Sequence, residues 1–248
     1  MSDSGHGHSP LAQFEVHPLF PAQIAGLDVS FTNASLWMAL AVAAASLLMF
    51  MGVRQRALVP NRWQSVSELL IQFISGTVRD SAGKDAMKYF PLIFTLFMFV
   101  LFCNLLGMIP YSFTVTSHII VTFALALCVF LFCTLLAIWK HGLGKFLHFF
   151  LPHGTPWWMA PVMYFIELFS YLARPVSLSV RLAANMMAGH TMLKVIAGFV
   201  VMLGILGGWA PFALLMVLTG FEIGIAILQA YIFTVLTCVY LNDALHLH

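Results

Sequence analysis

Glu167, Arg174, Arg181, His190 and Lys194 all sit inside a long apolar stretch in the C-terminal third of this sequence. A charge at the centre of a bilayer costs roughly 3 kcal/mol even on the most lenient insertion scale, so ionisable residues there face protein or water and carry function. Glu167, Arg174 and Arg181 recur every seven residues. On a helix that spacing keeps them within about 40° of one another and about 10 Å apart per step, a polar stripe along one face. On the last apolar run Glu222 and Gln229 are again seven apart, and Asp243 falls two further heptads along, so those three share a face as well.

The chemistry these types offer is proton handling. Guanidinium does not shed its proton, so Arg181 is a fixed cation where a lysine could neutralise itself. Such a cation can attract and release a carboxylate on another protein, or bar protons from leaking between two wet cavities. The alternative is an arginine that snorkels to the surface or is locked to Glu167 or Asp243; Arg174 reads more simply as such a structural charge. A carboxyl held among apolar groups, as Glu222 is, suits reversible proton exchange near neutral pH, unless it stays neutral and bonds a backbone carbonyl. Gly220 and Gly224 bracket it at a spacing that lets another helix approach closely. His190, nine residues past Arg181, points about 180° away round a helix. Imidazole there can relay protons along a separate path or simply be a hydrogen-bonded core group. Asn185, one turn beyond Arg181, orients water or the guanidinium, or makes an interhelical hydrogen bond.

Other chemistries are excluded by motif. Gly83-Lys84 and Gly144-Lys145 lack the upstream glycine and the following hydroxyl of a phosphate-binding loop, so the chain is not expected to bind ATP itself. No H-E-x-x-H or G-x-S-x-G pattern occurs. No catalytic residue, metal or cofactor is expected, and the chain reads as no enzyme on its own.

The elements that must hold these residues follow from composition. Of 248 residues, 61% are hydrophobic and only 8% charged, which places the chain in a bilayer as a single membrane domain. The net charge of +2 is too small for a nucleic-acid partner. Uncharged runs at 35–53, 90–111 and 119–139 are each long enough to cross a hydrocarbon core of about 30 Å. Between them, 62–80 carries Trp63, Val66, Leu69, Leu70, Phe73, Ile74 and Val78 at helical spacing, interrupted by polar residues, as an interfacial amphipathic helix does. The stretch 156–203 would be about 70 Å long as a helix, more than twice the hydrocarbon thickness, so it must break or lie steeply tilted. Gly204, Gly207, Gly208 and Pro211 supply a turn into a second long helix at 211–245. The expected fold is therefore all-α, with five membrane-embedded helices, one interfacial helix and a long tilted hairpin at the end. The basic residues from Arg54 to Lys88, with Lys140 and Lys145, put those loops on the cytoplasmic side and the polar segment 1–34 on the opposite side. The C-terminus returns inside.

Smaller features carry little. Cys103, Cys128, Cys133 and Cys238 lie in apolar runs without C-x-x-C spacing and read as core residues. The first 30 residues have no compact apolar run ending in a cleavage site, and His6 and His8 read as solvated polar residues.

The residues from Ser177 to His190, containing Arg181-Leu-Ala-Ala-Asn185-Met-Met-Ala-Gly189, resemble the arginine motif R-L-x-x-N-x-x-A-G of the F-type ATP synthase a subunit, called subunit 6 in mitochondria. Glu222 with Gln229 resembles that family's polar pair on its final helix. Asn104-Leu-Leu-Gly107-Met-Ile-Pro110 resembles its second-span signature and Phe31-Thr-Asn33 its entry to the first span, so the likeness covers nearly the whole chain. The resemblance implies that Arg181 faces a rotating c-ring and meets each c-subunit carboxylate, while two offset half-channels, served by Arg181, Glu222, His190, Gln229 and Asn185, deliver and remove protons. It further implies b-type peripheral stalk subunits as partners and a bacterial inner membrane as the location. A proton crossing 100 mV releases about 2.3 kcal/mol, so leakage past the arginine would waste the gradient. In some bacterial members the acid and the histidine are exchanged between the two helices; mitochondrial-type members resemble the arrangement found here. A proton-coupled secondary transporter would use similar buried charges, but no internal repeat stands out. In a haem-binding anchor His190 would need a histidine on another span, and His118 and His141 sit at span ends.

Overall fold

A computed structural model describes residues 18–20, 23–24, 27–28, 30–54, 60–109, 112–149 and 158–246. Seven α-helices are present among them: α1 (Asn33–Arg54), α2 (Arg62–Ala82), α3 (Phe90–Gly107), α4 (Ile119–His141), α5 (Leu143–Phe149), α6 (Ala160–Gly207) and α7 (Trp209–Leu245). Helices at Asn33–Arg54, Asp85–Gly107, Ile119–His141, Ala160–Gly204 and Trp209–Leu245 are long and apolar enough to cross a membrane. The chain is an all-α integral membrane protein. Its spans expose large apolar side chains such as Leu47, Phe50, Leu135, Val201 and Val217, as lipid-facing helices do. Trp139 and Trp209, both exposed, stand at span ends, where indoles prefer the membrane interface.

Two features depart from the sequence reading. Within the polar segment 1–34, β1 (Pro18–Phe20) pairs antiparallel with β4 (Phe31–Thr32), and β2 (Gln23–Ile24) with β3 (Leu27–Asp28). Ladders of two or three residues are too short to leave an alternating pattern. After α4, Gly142 adopts φ 80° and closes the helix by donating to the Ile138 carbonyl at 2.8 Å, and α5 follows in what reads as a loop. The expected end of the second span at residues 110 and 111 lies outside the described residues.

α2 begins where the Asn61 side chain accepts from the Arg62 amide at 2.7 Å, and ends at Gly83 with φ 78°. It buries Ser67, Ile74, Val78 and Ala82 and leaves Trp63, Val66, Leu69 and Phe73 exposed. α6 is helical without interruption from 160 to 203 and turns at Gly204, where φ is 60°. The break that its length made possible therefore falls at the end of the helix, and Pro175 is carried within it.

The fold gathers into two compact units. The first comprises Met1–Leu47, Met98–His118 and Leu182–Ala230, with Val100, Cys103, Asn104, Val115, Leu182, Met186 and Ala226 buried. Its loop after α3 is a buried polar corner in which Ser112 and Thr114 donate to the Gly107 carbonyl at 2.8 and 3.4 Å. A Cβ on Gly107 would lie 2.9 Å from Thr114 Cγ2, so glycine is what lets the loop fold back. The second comprises Leu48–Phe97, Ile119–Arg181 and Tyr231–His248, with Ile74, Ile93, Val129, Cys133, Phe233 and Leu241 buried. Cys103, Cys133 and Cys238 are core residues as expected, whereas Cys128 is exposed on α4.

Candidate functional site

In the first unit α6 and α7 run antiparallel and bring four polar residues together in two pairs. His190 and Glu222 are both buried, with Nδ1 3.6 Å from Oε1, in contact yet too far for a hydrogen bond. Asn185 Nδ2 donates to Gln229 Oε1 at 3.0 Å. Of the two roles open to Asn185, this is the interhelical hydrogen bond. Gly189 makes room for the acid, since a Cβ there would stand 2.5 Å from Glu222 Oε1.

α3 contributes a buried residue that carries no titratable group. Asn104, fully buried, donates from Nδ2 to the Ala226 carbonyl at 3.1 Å, one helical turn from Glu222. The signal was a polar amide inside an uncharged span, visible but not titratable. Among the described residues, Asn104 Oδ1, His190 Nε2, both Glu222 oxygens and Gln229 Nε2 are buried without a hydrogen-bond partner. Native proteins pair nearly all buried polar atoms, so such a cluster is a place suited to water or an exchanging proton.

In the second unit Arg174 Nη1 donates to Asp243 Oδ2 at 2.7 Å. The guanidinium lies between the rings of Tyr171 and Tyr240, 5.3 Å from each centroid. Thr134 and Tyr171 share a hydroxyl hydrogen bond at 2.7 Å. Phe130, Cys133, Tyr171, Arg174, Tyr240 and Asp243 together line a narrow cavity. Arg181 is exposed and makes no ion pair among the described residues, so it is locked neither to Glu167 nor to Asp243. Glu167 is half-buried and likewise forms no ion pair there. Arg181, in the second unit, is exposed, and His190, in the first, is buried.

With these positions fixed, the sequence can be set beside known proteins. Residues 35–242 match the family described as ATP synthase A chain. The chain belongs to this family. Relatives named ATP synthase subunit a, from Rhodospirillum rubrum and from a designated strain of that organism, are each 54% identical over 241 residues. The match covers 97% of this chain and 100% of each relative. Every site residue from Glu167 to Gln229 lies inside the family match, and Asp243 stands one residue beyond it.

His118 and His141, the histidines that a haem reading would need, have local roles. His118 stacks on Phe113 with ring centroids 4.9 Å apart, and partial burial in its loop lowers the pKa of the imidazole. His141 Nε2 lies 3.2 Å from the Leu245 carbonyl.

Proposed function

We propose that this family member is the stator subunit of an F-type ATP synthase membrane sector. It forms two proton half-channels and passes protons to and from the carboxylates of a c-ring, coupling proton flow to rotation and ATP synthesis. The observation that carries this reading is the contrast between an exposed Arg181, without an ion pair among the described residues, and a buried, unsatisfied Glu222–His190 pair.

Each group does what its chemistry allows. Arg181 keeps its charge, so an approaching ring carboxylate loses its proton beside it and pairs with it transiently. The same fixed charge repels a proton that would short-circuit the two paths. Glu222 and His190, in contact and short of hydrogen-bond partners, form the exchange station of one half-channel, with Gln229 and Asn185 fixing the helices around it. Glu167, half-buried on α6, serves the other.

The chain contributes no catalytic site for nucleotide chemistry; that lies in other subunits. Partners are the c-ring, through the Arg181 face, and b-type peripheral stalk subunits. The setting is a bacterial inner membrane, with the N-terminus periplasmic and the C-terminus cytoplasmic from the placement of basic loops. The excess length of α6 and α7 over the bilayer is taken up by a steep tilt of the hairpin against the ring.

ATP-driven proton pumping in vesicles holding the whole complex tests the reading. Arg181→Ala and Glu222→Gln are expected to lose pumping while the complex stays assembled, and near-normal pumping by the arginine variant would overturn it. The competing reading, a proton-coupled secondary transporter, requires solute-driven proton uptake by the isolated chain.

A further inference from the structure

We propose that Arg174 is a positioning residue for Arg181: by holding Asp243 in an ion pair it keeps that carboxylate from neutralising Arg181, which therefore stays open to a carboxylate from outside the chain. The inference rests on the reading of Arg181 given under Proposed function.

Arg174 and Arg181 are seven residues apart, on one face of α6, so a carboxylate on α7 that meets the first is within a side chain's reach of the second if the first is removed. Asp243 sits against Arg174 at 2.7 Å, which places Arg181 two turns further, about 10 Å along the helix. A flexible guanidinium left beside a single carboxylate in a low-dielectric setting would move to it.

The clamp on Arg174 is built to win that competition. Tyr171 lies three residues before Arg174 on α6, and Tyr240 three before Asp243 on α7, so each partner of the ion pair brings its own ring from the preceding turn. Both rings lie 5.3 Å from the Arg174 guanidinium, a geometry that favours a cation. Thr134 on α4 fixes the Tyr171 hydroxyl at 2.7 Å. Arg181 has no comparable cradle among the described residues.

Stability alone does not explain the pair. A partly buried ion pair is a weak stabilising device that well-packed apolar residues match. The end of α7 is also anchored separately, since Lys140 Nζ donates to the Leu245 carbonyl at 3.1 Å and His141 Nε2 lies 3.2 Å from the same oxygen. What the pair adds is the choice of which cation is neutralised.

The test compares ATP-driven proton pumping by the whole complex carrying Arg174→Gln, Asp243→Asn, both substitutions, or Arg181→Ala, with subunit content measured in each membrane. Arg174→Gln frees Asp243 to capture Arg181, and pumping is expected to fall roughly tenfold or more in assembled complex. Removing the liberated carboxylate as well is expected to restore the double variant to within about threefold of wild type, a coupling that a merely structural pair would not produce. A double variant as slow as Arg174→Gln, or an Arg174→Gln complex that pumps normally, overturns the proposal. If Arg174→Gln does not assemble, the uncharged double variant decides alone: pumping near wild type supports the proposal, while silence or failure to assemble overturns it. Arg181→Ala separates the two claims. Normal pumping there defeats the reading of Arg181 itself, whereas silence there beside normal pumping in Arg174→Gln defeats only this inference.

Discussion

Gly189 lies directly against the Glu222 carboxyl, so near that a Cβ on the glycine would fall 2.5 Å from Oε1 and 2.9 Å from Cδ. The acid owes its buried position between α6 and α7 to the absence of that one carbon. Gly189→Ala must push the carboxyl from its contact with His190, and proton pumping is expected to fall roughly tenfold, with overpacking costing about 1–3 kcal/mol. Shortening the acid in the same chain, Gly189→Ala with Glu222→Asp, should recover part of the rate. Pumping assays on the two variants check this, and an unaffected Gly189→Ala complex would mean that the carboxyl position is not critical.

Asn104 reaches from α3 to the Ala226 carbonyl, one turn from Glu222, and so ties a third helix to the one that bears the acid. Asn104→Ala is expected to lower stability by about 1 kcal/mol, the net worth of one hydrogen bond. Its effect on pumping should be larger than that loss explains, because the helix bearing Glu222 is then held less firmly. Thermal melting of the purified complex beside its pumping rate measures the two effects separately.

Gly52 meets Ser67 where α1 approaches α2: a Cβ on the glycine would fall 2.1 Å from the serine Oγ, which itself donates to the Trp63 carbonyl at 3.1 Å. Gly52→Val cannot be absorbed by a side-chain rotation alone, and a destabilisation of about 1–3 kcal/mol is expected. The readout is the amount of chain assembled in membranes, with Gly52→Ala giving a smaller loss than Gly52→Val.

Much of this was legible in the sequence because a bilayer punishes every charge and every open backbone group. Glu167, Arg174, Arg181, His190, Glu222 and Asp243 stood out by type alone, and multiples of seven gave the faces of all but His190. Which charge pairs with which was not legible. Arg174 and Arg181 share one face by spacing, and it is Arg174, flanked by the rings of Tyr171 and Tyr240, that holds Asp243. Asn104 and Gly189 were quoted only as parts of motifs, because their roles arise from close approach between helices distant in sequence. The short strands at 18–32 and the helix α5 escaped because neither is long enough to show a period.

We propose Arg181 as an open, fixed cation that both receives an outside carboxylate and blocks a direct proton leak. The most direct measurement takes the assembled complex with Arg181→Ala in sealed vesicles and records ATP-driven pumping together with passive proton conduction through the membrane sector. The account predicts that pumping is lost while passive conduction persists or rises, since the barrier is gone but the two paths remain. Pumping close to wild type in assembled complex would contradict it and leave Arg181 a structural charge.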